Sequence, residues 1–310
     1  MIHFVRSPKR FSHTDRFYLT QWFHQDILIV TDVDINHEPD LQALINNHHC
    51  KNVMVDLSHN AMPESDIPDF LFQYPILSTN FDVWYKETTD NTAYFPLWFW
   101  MFSCRSNQFF WAVSFDAGGA KSKPMMCLNR NLHPHRKHFM RLIDSILPEI
   151  EYSYGNGKIL PEDELDADGR SRIDIGVGHR VYSECAVNVV TETVMDRKSL
   201  SEKSCKPFVA RQIPLIMGPM GANQFLLDIG FDMFEDLIPW REWDSDPDEA
   251  TRIQKLANFT VQWLRSGKIL DQYRSVVHRV ERNKTYIHSD LFRSVILKQM
   301  PKLDPYAVYK

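Results

Sequence analysis

Residues 181–218 constrain the fold more than any other stretch. VYSECAVNVVTET (181–193) reads as a strong strand. SLSEKSCKPFVARQ follows as an apolar helix with Cys205, Phe208 and Val209 on its core stripe, and PLIMG (214–218) reads as the next strand. This is a β-α-β rhythm, and it implies a parallel sheet. The first third repeats it. DILIVTDVD (26–34), NVMVDLSHN (52–60) and FLFQYPILSTN (70–80) each read as a buried strand ending in a polar loop, with LQALIN as a short helix. Further on, MMCL (125–128) and IEYSYG (150–155) read as strands. Between them, HPHRKHFMRLIDSIL reads as a helix with Phe139, Leu142, Ile143 and Ile146 inward. GANQFLLDIGF opens another helix. From Pro247 onward the pattern is helical, with Ile253, Leu256, Ala257, Val261 and Leu264 on one face.

The Gly- and Pro-containing segment SFDAGGAKSKP (114–124) marks the boundary between two α/β units. The expected division is 1–117, 118–285 and a helical segment 286–310 that packs back on the first unit. Parallel sheets of this kind collect ligands at the carboxyl ends of their strands. Two such units place that crevice between them.

Composition narrows the function classes. A net charge of −5 over 310 residues leaves any nucleic-acid role to a local basic patch. Such stretches are RSPKR near the N-terminus, HRKHFMR, and RSVVHRVERNK (274–284). The five cysteines are odd in number and scattered, without Cys-x-x-Cys, so reduced thiols and a cytoplasmic location are expected. The N-terminus lacks the apolar run of a signal peptide. YFPLWFWMF, from Tyr94, is far shorter than the ~20 residues of a membrane helix.

Several residues could carry chemistry. Glu202 and Lys203 head the apolar helix. Ser199-x-x-Glu202 fits a capping box. A helix start beside a lysine equally suits a phosphate, with Glu202 accepting bonds from ribose hydroxyls. Glu192 would face the same crevice. Asn129 and Arg130 follow a strand directly, and Arg130 can meet a diphosphate through two parallel bonds. Arg136, inside the helix, would snorkel or pair with an acid. MGPMGAN (217–223) is a turn whose Gly218 permits close backbone approach. In the first unit, Asp32, Asp34, Asp56, His59, Glu64 and Asn80 lie at strand ends. Asp, Glu or His there could serve as a general base. Trp98, Trp100 and Trp111 could stack on a base or sugar ring.

Metal signals are weak. Asp32-x-Asp34 could hold a divalent ion through its oxygens. EDELDADGR (162–170) fails as a calcium loop, because its twelfth position is Ile175. His133, His135 and His138 have no ligand spacing and read as surface helix residues.

LNRNLHPHR, then TETVMDRKSLSEKSCKPFVARQIPLIMG, then FLLDIGFDMFEDLI together resemble the donor domain of a GT-B glycosyltransferase. More narrowly, they are similar to the fucosyltransferase-like enzymes of phages and large DNA viruses. The resemblance covers roughly residues 123–265. It implies two Rossmann-like domains facing across a cleft: an acceptor and base domain over 1–117 and a nucleotide-sugar domain over 118–285. It implies transfer from a UDP- or GDP-linked sugar, with Arg130 on phosphate and Glu202 and Lys203 on ribose and phosphate. Asn129, Glu192 and Gly218 complete the expected donor wall, and Asp32, His59 and Glu64 are the base candidates. Inversion without a metal cofactor is expected, because basic groups and helix dipoles can neutralise the leaving diphosphate. The expected acceptor is hydroxymethylated cytosine in phage DNA, which requires base flipping, with a glycan as the alternative. A non-catalytic nucleotide-sugar-binding protein is the competing reading.

Overall fold

The computed structural model describes residues 119–129, 131–155 and 179–298 continuously. Before them it describes 2–4, 27–31, 40–47, 52–57, 67–74, 76–78 and 92–94, with single residues 35, 99 and 177. Two parallel sheets result. The first has strands β1 (Ile2–Phe4), β2 (Ile27–Thr31), β3 (Asn52–Leu57), β4 (Ile76–Ser78) and β5 (Thr92–Tyr94), adjacent in chain order. Leu28 pairs with Val53 and Val30 with Val55, so alternate residues of neighbouring strands share one face. That face is buried with Leu41 and Ile45 of helix α1 (Leu41–Asn47), and with Leu71 and Ile76.

The second sheet contains β6 (Lys123–Asn129), β7 (Glu151–Tyr154), β8 (Cys185–Thr191) and β9 (Ile213–Met217), in the order β7-β6-β8-β9. Every residue of β8 and β9 is buried. That is why both read as near-continuous apolar runs rather than alternating ones. Helix α2 (Pro134–Leu142) connects β6 to β7, and α4 (Glu202–Val209) connects β8 to β9. The two crossovers run toward opposite edges. Right-handed connections therefore place α2 and α4 on opposite faces. Two long helices cover them: α7 (Glu249–Arg265) packs on α2, and α8 (Ile269–Ile287) packs on α4. The other helices among the described residues of the second unit are α3 (Arg180–Glu184), α5 (Ala222–Asp228), α6 (Arg241–Asp244) and α9 (Asp290–Leu297).

Three elements differ from the sequence reading, each for a local reason. The run from 181 does not start as a strand. It opens as α3, whose first turn is capped by His179 accepting from the Val181 amide, and β8 begins at Cys185. FLFQYPILSTN divides into a 3-10 helix, Asp69–Gln73, and the short β4. The long helix after His133 gives way to a 3-10 turn over Asp144–Glu149, which holds Pro148. Phe139, Ile143 and Ile146 are nonetheless fully buried.

Phe99 enters the core of the second sheet's helices. Its ring lies 6.5 Å from Phe208, 5.7 Å from Phe231 and 6.4 Å from Phe292. α8 runs through Ile287, past the boundary expected at 285. Cys127, Cys185 and Cys205 are free and buried, and burial pushes the first two thiols up to about 12. Cys50 and Cys104 lie outside the described residues. Among the described residues, no helix is long and apolar enough to cross a membrane.

Candidate functional site

The order of the second sheet decides where a ligand can sit. From β6 the chain crosses to one edge, and from β8 to the other. The crevice of such a sheet opens where the order reverses, here between the carboxyl ends of β6 and β8. Asn129 and Thr191 end those strands, and the Thr191 hydroxyl donates to Asn129 Oδ1. Asn129 is fully buried, and its Nδ2 contacts Cys127 Sγ at 3.2 Å and Met140 Sδ at 3.4 Å. Its side chain thus binds the two strand ends and the back of α2. Its neighbour Arg130 lies outside the described residues.

Arg136 reaches this edge from α2. It is 2% exposed; Nη2 donates to the Thr191 carbonyl at 2.7 Å and to Thr193 Oγ1 at 3.2 Å, and Nη1 to the Asn131 carbonyl at 3.0 Å. Its Nε has no hydrogen-bond partner among the described residues. Burial pulls its pKa down, and the carboxylates of Glu192 and Glu202 push it back up. The sequence reading expected a snorkelling or paired surface arginine. The structure instead buries it at the edge where β6 and β8 end. A signal was present: Arg136 occupies the same helical stripe as Phe139, Met140 and Ile143, where an apolar residue is expected.

Glu192 follows β8 and is 1% exposed. Its oxygens accept from the Ser201 amide at 3.0 Å, Ser201 Oγ at 2.6 Å, Ser204 Oγ at 2.5 Å and the Thr193 amide at 3.3 Å. The carboxylate therefore organises the start of α4 from behind. This also relocates the expected cap. Ser201, not Ser199, is the N-cap residue, and its hydroxyl accepts from the Lys203 amide at 3.3 Å. The Ser199 amide is turned instead to the Arg197 carbonyl at 2.8 Å. Gly218, at the end of β9, lies against this carboxylate. A Cβ there would sit 3.7 Å from Glu192 Cγ and 3.0 Å from Ala222 Cβ. The backbone approach thus serves packing behind Glu192.

Glu202 and Lys203 form an ion pair at the first turn of α4, with side chains 14% and 30% exposed. Burial raises the Glu202 pKa, but the charges of Lys203 and Lys206 and the Lys203 hydrogen bond outweigh it. The net shift is downward, so Glu202 is a carboxylate near neutrality. Lys206, one turn deeper, is 4% exposed and lies 5.8 Å from the Tyr182 ring centre.

The Gly-containing turn before α5 has its own carboxylate. Gly221 has a φ of 84°, suited to glycine, and its amide donates to the Asp244 carbonyl at 2.8 Å. Buried Asp244 accepts from the Asn223 amide at 3.0 Å, Asn223 Nδ2 at 2.8 Å and the Gln224 amide at 3.0 Å. The start of α5 is therefore closed by an internal anion. Nothing in the sequence links Asp244 to residues some twenty positions earlier.

The start of α2 is different. His133 is its N-cap without a side-chain capping bond, and Pro134 occupies the first turn. The amides of His135 and Arg136 have no acceptor inside the helix. His135, read from sequence as a surface residue, is buried, and its Nε2 meets the Glu192 carbonyl at 2.9 Å.

These groups give the edge two capabilities. Lys203, Arg136 and the open amides of α2 favour an anion. Glu202 offers carboxylate oxygens beside Lys203. Asp32, Asp34, His59, Glu64 and Asn80 of the first unit lie outside the described residues, as do Trp98, Trp100 and Trp111. Asp56 is on β3, its backbone paired with Thr31 and Leu77. The acidic loop 162–170 is also outside. No metal-binding group of three or more His, Cys, Asp or Glu exists among the described residues.

Of the basic stretches, RSPKR lies outside the described residues, and Lys137, His138 and Arg141 of HRKHFMR are exposed. On α8, Arg274 pairs with Asp271 at 2.6 Å, Arg279 bridges Asp232 and Asp236 at 2.7 Å each, and Lys284 is buried. Glu281 of the same helix takes Arg211 at 2.9 Å. In HRKHFMR, His135 and Arg136 point inward.

The sequence matches no protein-family profile and no curated protein. Among solved structures, the fold is similar to a crystal structure of an alpha1,3-fucosyltransferase with GDP-fucose. The TM-score is 0.46, with 11% identity over 91% of this chain and 91% of that one.

Proposed function

We propose that this chain is a nucleotide-sugar-dependent glycosyltransferase of GT-B architecture. Its second α/β unit holds the diphosphate of a UDP- or GDP-linked sugar at the carboxyl edge between β6 and β8. The observation that carries this reading is the convergence of Arg136, Glu202 and Lys203 at the strand-order reversal of a parallel sheet. As the bond from sugar to phosphate breaks, charge builds on the leaving diphosphate. Lys203 and Arg136, held in place beforehand, stabilise that charge without reorganising. Glu202 accepts hydrogen bonds from ribose hydroxyls. Glu192 and Asn129 hold the strand ends and helix starts that position these groups.

The first unit brings the acceptor hydroxyl, with Asp32, His59 or Glu64 as the base that removes its proton. Attack from the side opposite the leaving group inverts the sugar's configuration. The units divide near 117, and the segment from 286 packs back on the first one. A glycan suits the acceptor role better than duplex DNA, because Arg274 and Arg279 of α8 are paired with Asp271, Asp232 and Asp236.

The test has two parts. A ligand that binds only the folded chain raises its melting temperature. UDP- or GDP-sugars should do so. With an oligosaccharide or hydroxymethylcytosine DNA present, release of nucleoside diphosphate should then accelerate. Stabilisation without release under any acceptor would leave a binding protein. No stabilisation by any nucleotide sugar would end the proposal.

A further inference from the structure

His133 stands at the mouth of the α2 start, partly exposed. Its ring is stacked on His135, with centroids 5.6 Å apart and planes within 6°. His135 is itself fixed, because its Nε2 meets the Glu192 carbonyl at 2.9 Å. The stack therefore sets the plane of the His133 ring. Neither ring nitrogen of His133 has a hydrogen-bond partner among the described residues, and it makes no capping bond. Beside it are the open amides of His135 and Arg136, and the unpartnered Nε of a buried Arg136.

We propose that His133, as an imidazolium, contacts the same anionic group as Lys203, in the field of buried Arg136, so that donor affinity rises as pH falls. The inference rests on the reading of this edge as a diphosphate site. The groups that face His133 are His135 and Arg136 from α2 and Lys203 from α4. Burial and then the charges of Arg136, His135 and Lys203 all hold its pKa below the ordinary value. Without an anion beside it the ring is therefore neutral at neutral pH. A bound diphosphate reverses the local field and favours the proton. Affinity and protonation are then linked: binding takes up a proton, and the dissociation constant rises with pH by up to about tenfold per unit.

The probe must not titrate in the same range. In GDP-mannose, UDP-glucose and dTDP-glucose both phosphates are esterified, so their charge is constant between about pH 5 and 8. Binding of each is measured by calorimetry across that range, in the full chain and in His133→Gln, which keeps a polar side chain but cannot charge. Melting temperatures of the two proteins confirm that both are folded. The expected result is a dissociation constant about tenfold higher at the alkaline end for the natural chain, and a flat profile for His133→Gln. A flat profile in the natural chain, or an unchanged slope in His133→Gln, overturns the inference while leaving the donor site standing. Failure of all three sugars to bind at any pH overturns the site itself, and the inference with it.

Discussion

Three helices begin at the carboxyl edge of the second sheet, and they end their first turns differently. α4 and α5 are closed from within. Glu192 holds Ser201 and Ser204 at the head of α4, and Asp244 takes the Asn223 and Gln224 amides at the head of α5. α2 has no such partner among the described residues. Its cap side chain makes no bond, and a proline fills its first position. A helix start carries partial positive charge whether or not it binds anything. The difference therefore teaches where an outside anion is wanted. Two of the starts are already neutralised by buried carboxylates. The third, beside Arg136 and Lys203, meets no carboxylate among the described residues.

The sharpest way to break this comparison is to remove an internal anion. Glu192→Ala leaves two serine hydroxyls without their acceptor and buried Arg136 without a nearby counter-charge. It should cost about 3–5 kcal/mol in denaturant unfolding, as for other broken buried charge networks. Asp244→Ala should cost less, about 2–4 kcal/mol, because the lost bonds come from neutral amides. If either variant kept its stability but lost nucleotide-sugar binding, that carboxylate would be a ligand contact and the division into closed and open starts would fail. Lys203→Ala sits on the other side of the comparison. Stability should change by less than about 1 kcal/mol, since its pair is partly exposed.

A control at the far end of α4 gives the smallest effect. Arg211 ends the helix at a φ of 55°, and the Gln212 amide closes the turn on the Pro207 carbonyl at 2.8 Å. Glycine prefers that conformation. Arg211→Gly should stabilise the chain by about 1 kcal/mol in thermal unfolding, less the Glu281 pair, and leave nucleotide-sugar binding unchanged.

Much of the second sheet was legible in the sequence, because a strand buried on both faces leaves an unbroken apolar run. β6, β8 and β9 all sit where such runs occur. The Glu202–Lys203 pair was visible as charge at the head of an apolar helix. What pattern cannot supply is partnership across distance. Asp244 and α5 meet only through the fold, and so do Glu192 and Ser204. Arg136 was misread because a charged residue on an apolar stripe has two explanations, and only the strand ends beside it choose between them. The short α3 was missed for a related reason: no Gly or Pro separates VYSE from the strand it precedes, and its start depends on His179.

The central claim is that a nucleotide sugar binds at the open edge formed by α2, Arg136 and Lys203. Equilibrium titration of the natural chain and of Lys203→Ala with the same UDP- or GDP-sugar tests it most directly. Loss of one charged hydrogen bond of about 1.5–3 kcal/mol predicts a dissociation constant raised at least about tenfold in the variant, with melting temperature nearly unchanged. Equal affinity in the two proteins would contradict the claim, and would return Glu202 and Lys203 to an ion pair at the head of a helix.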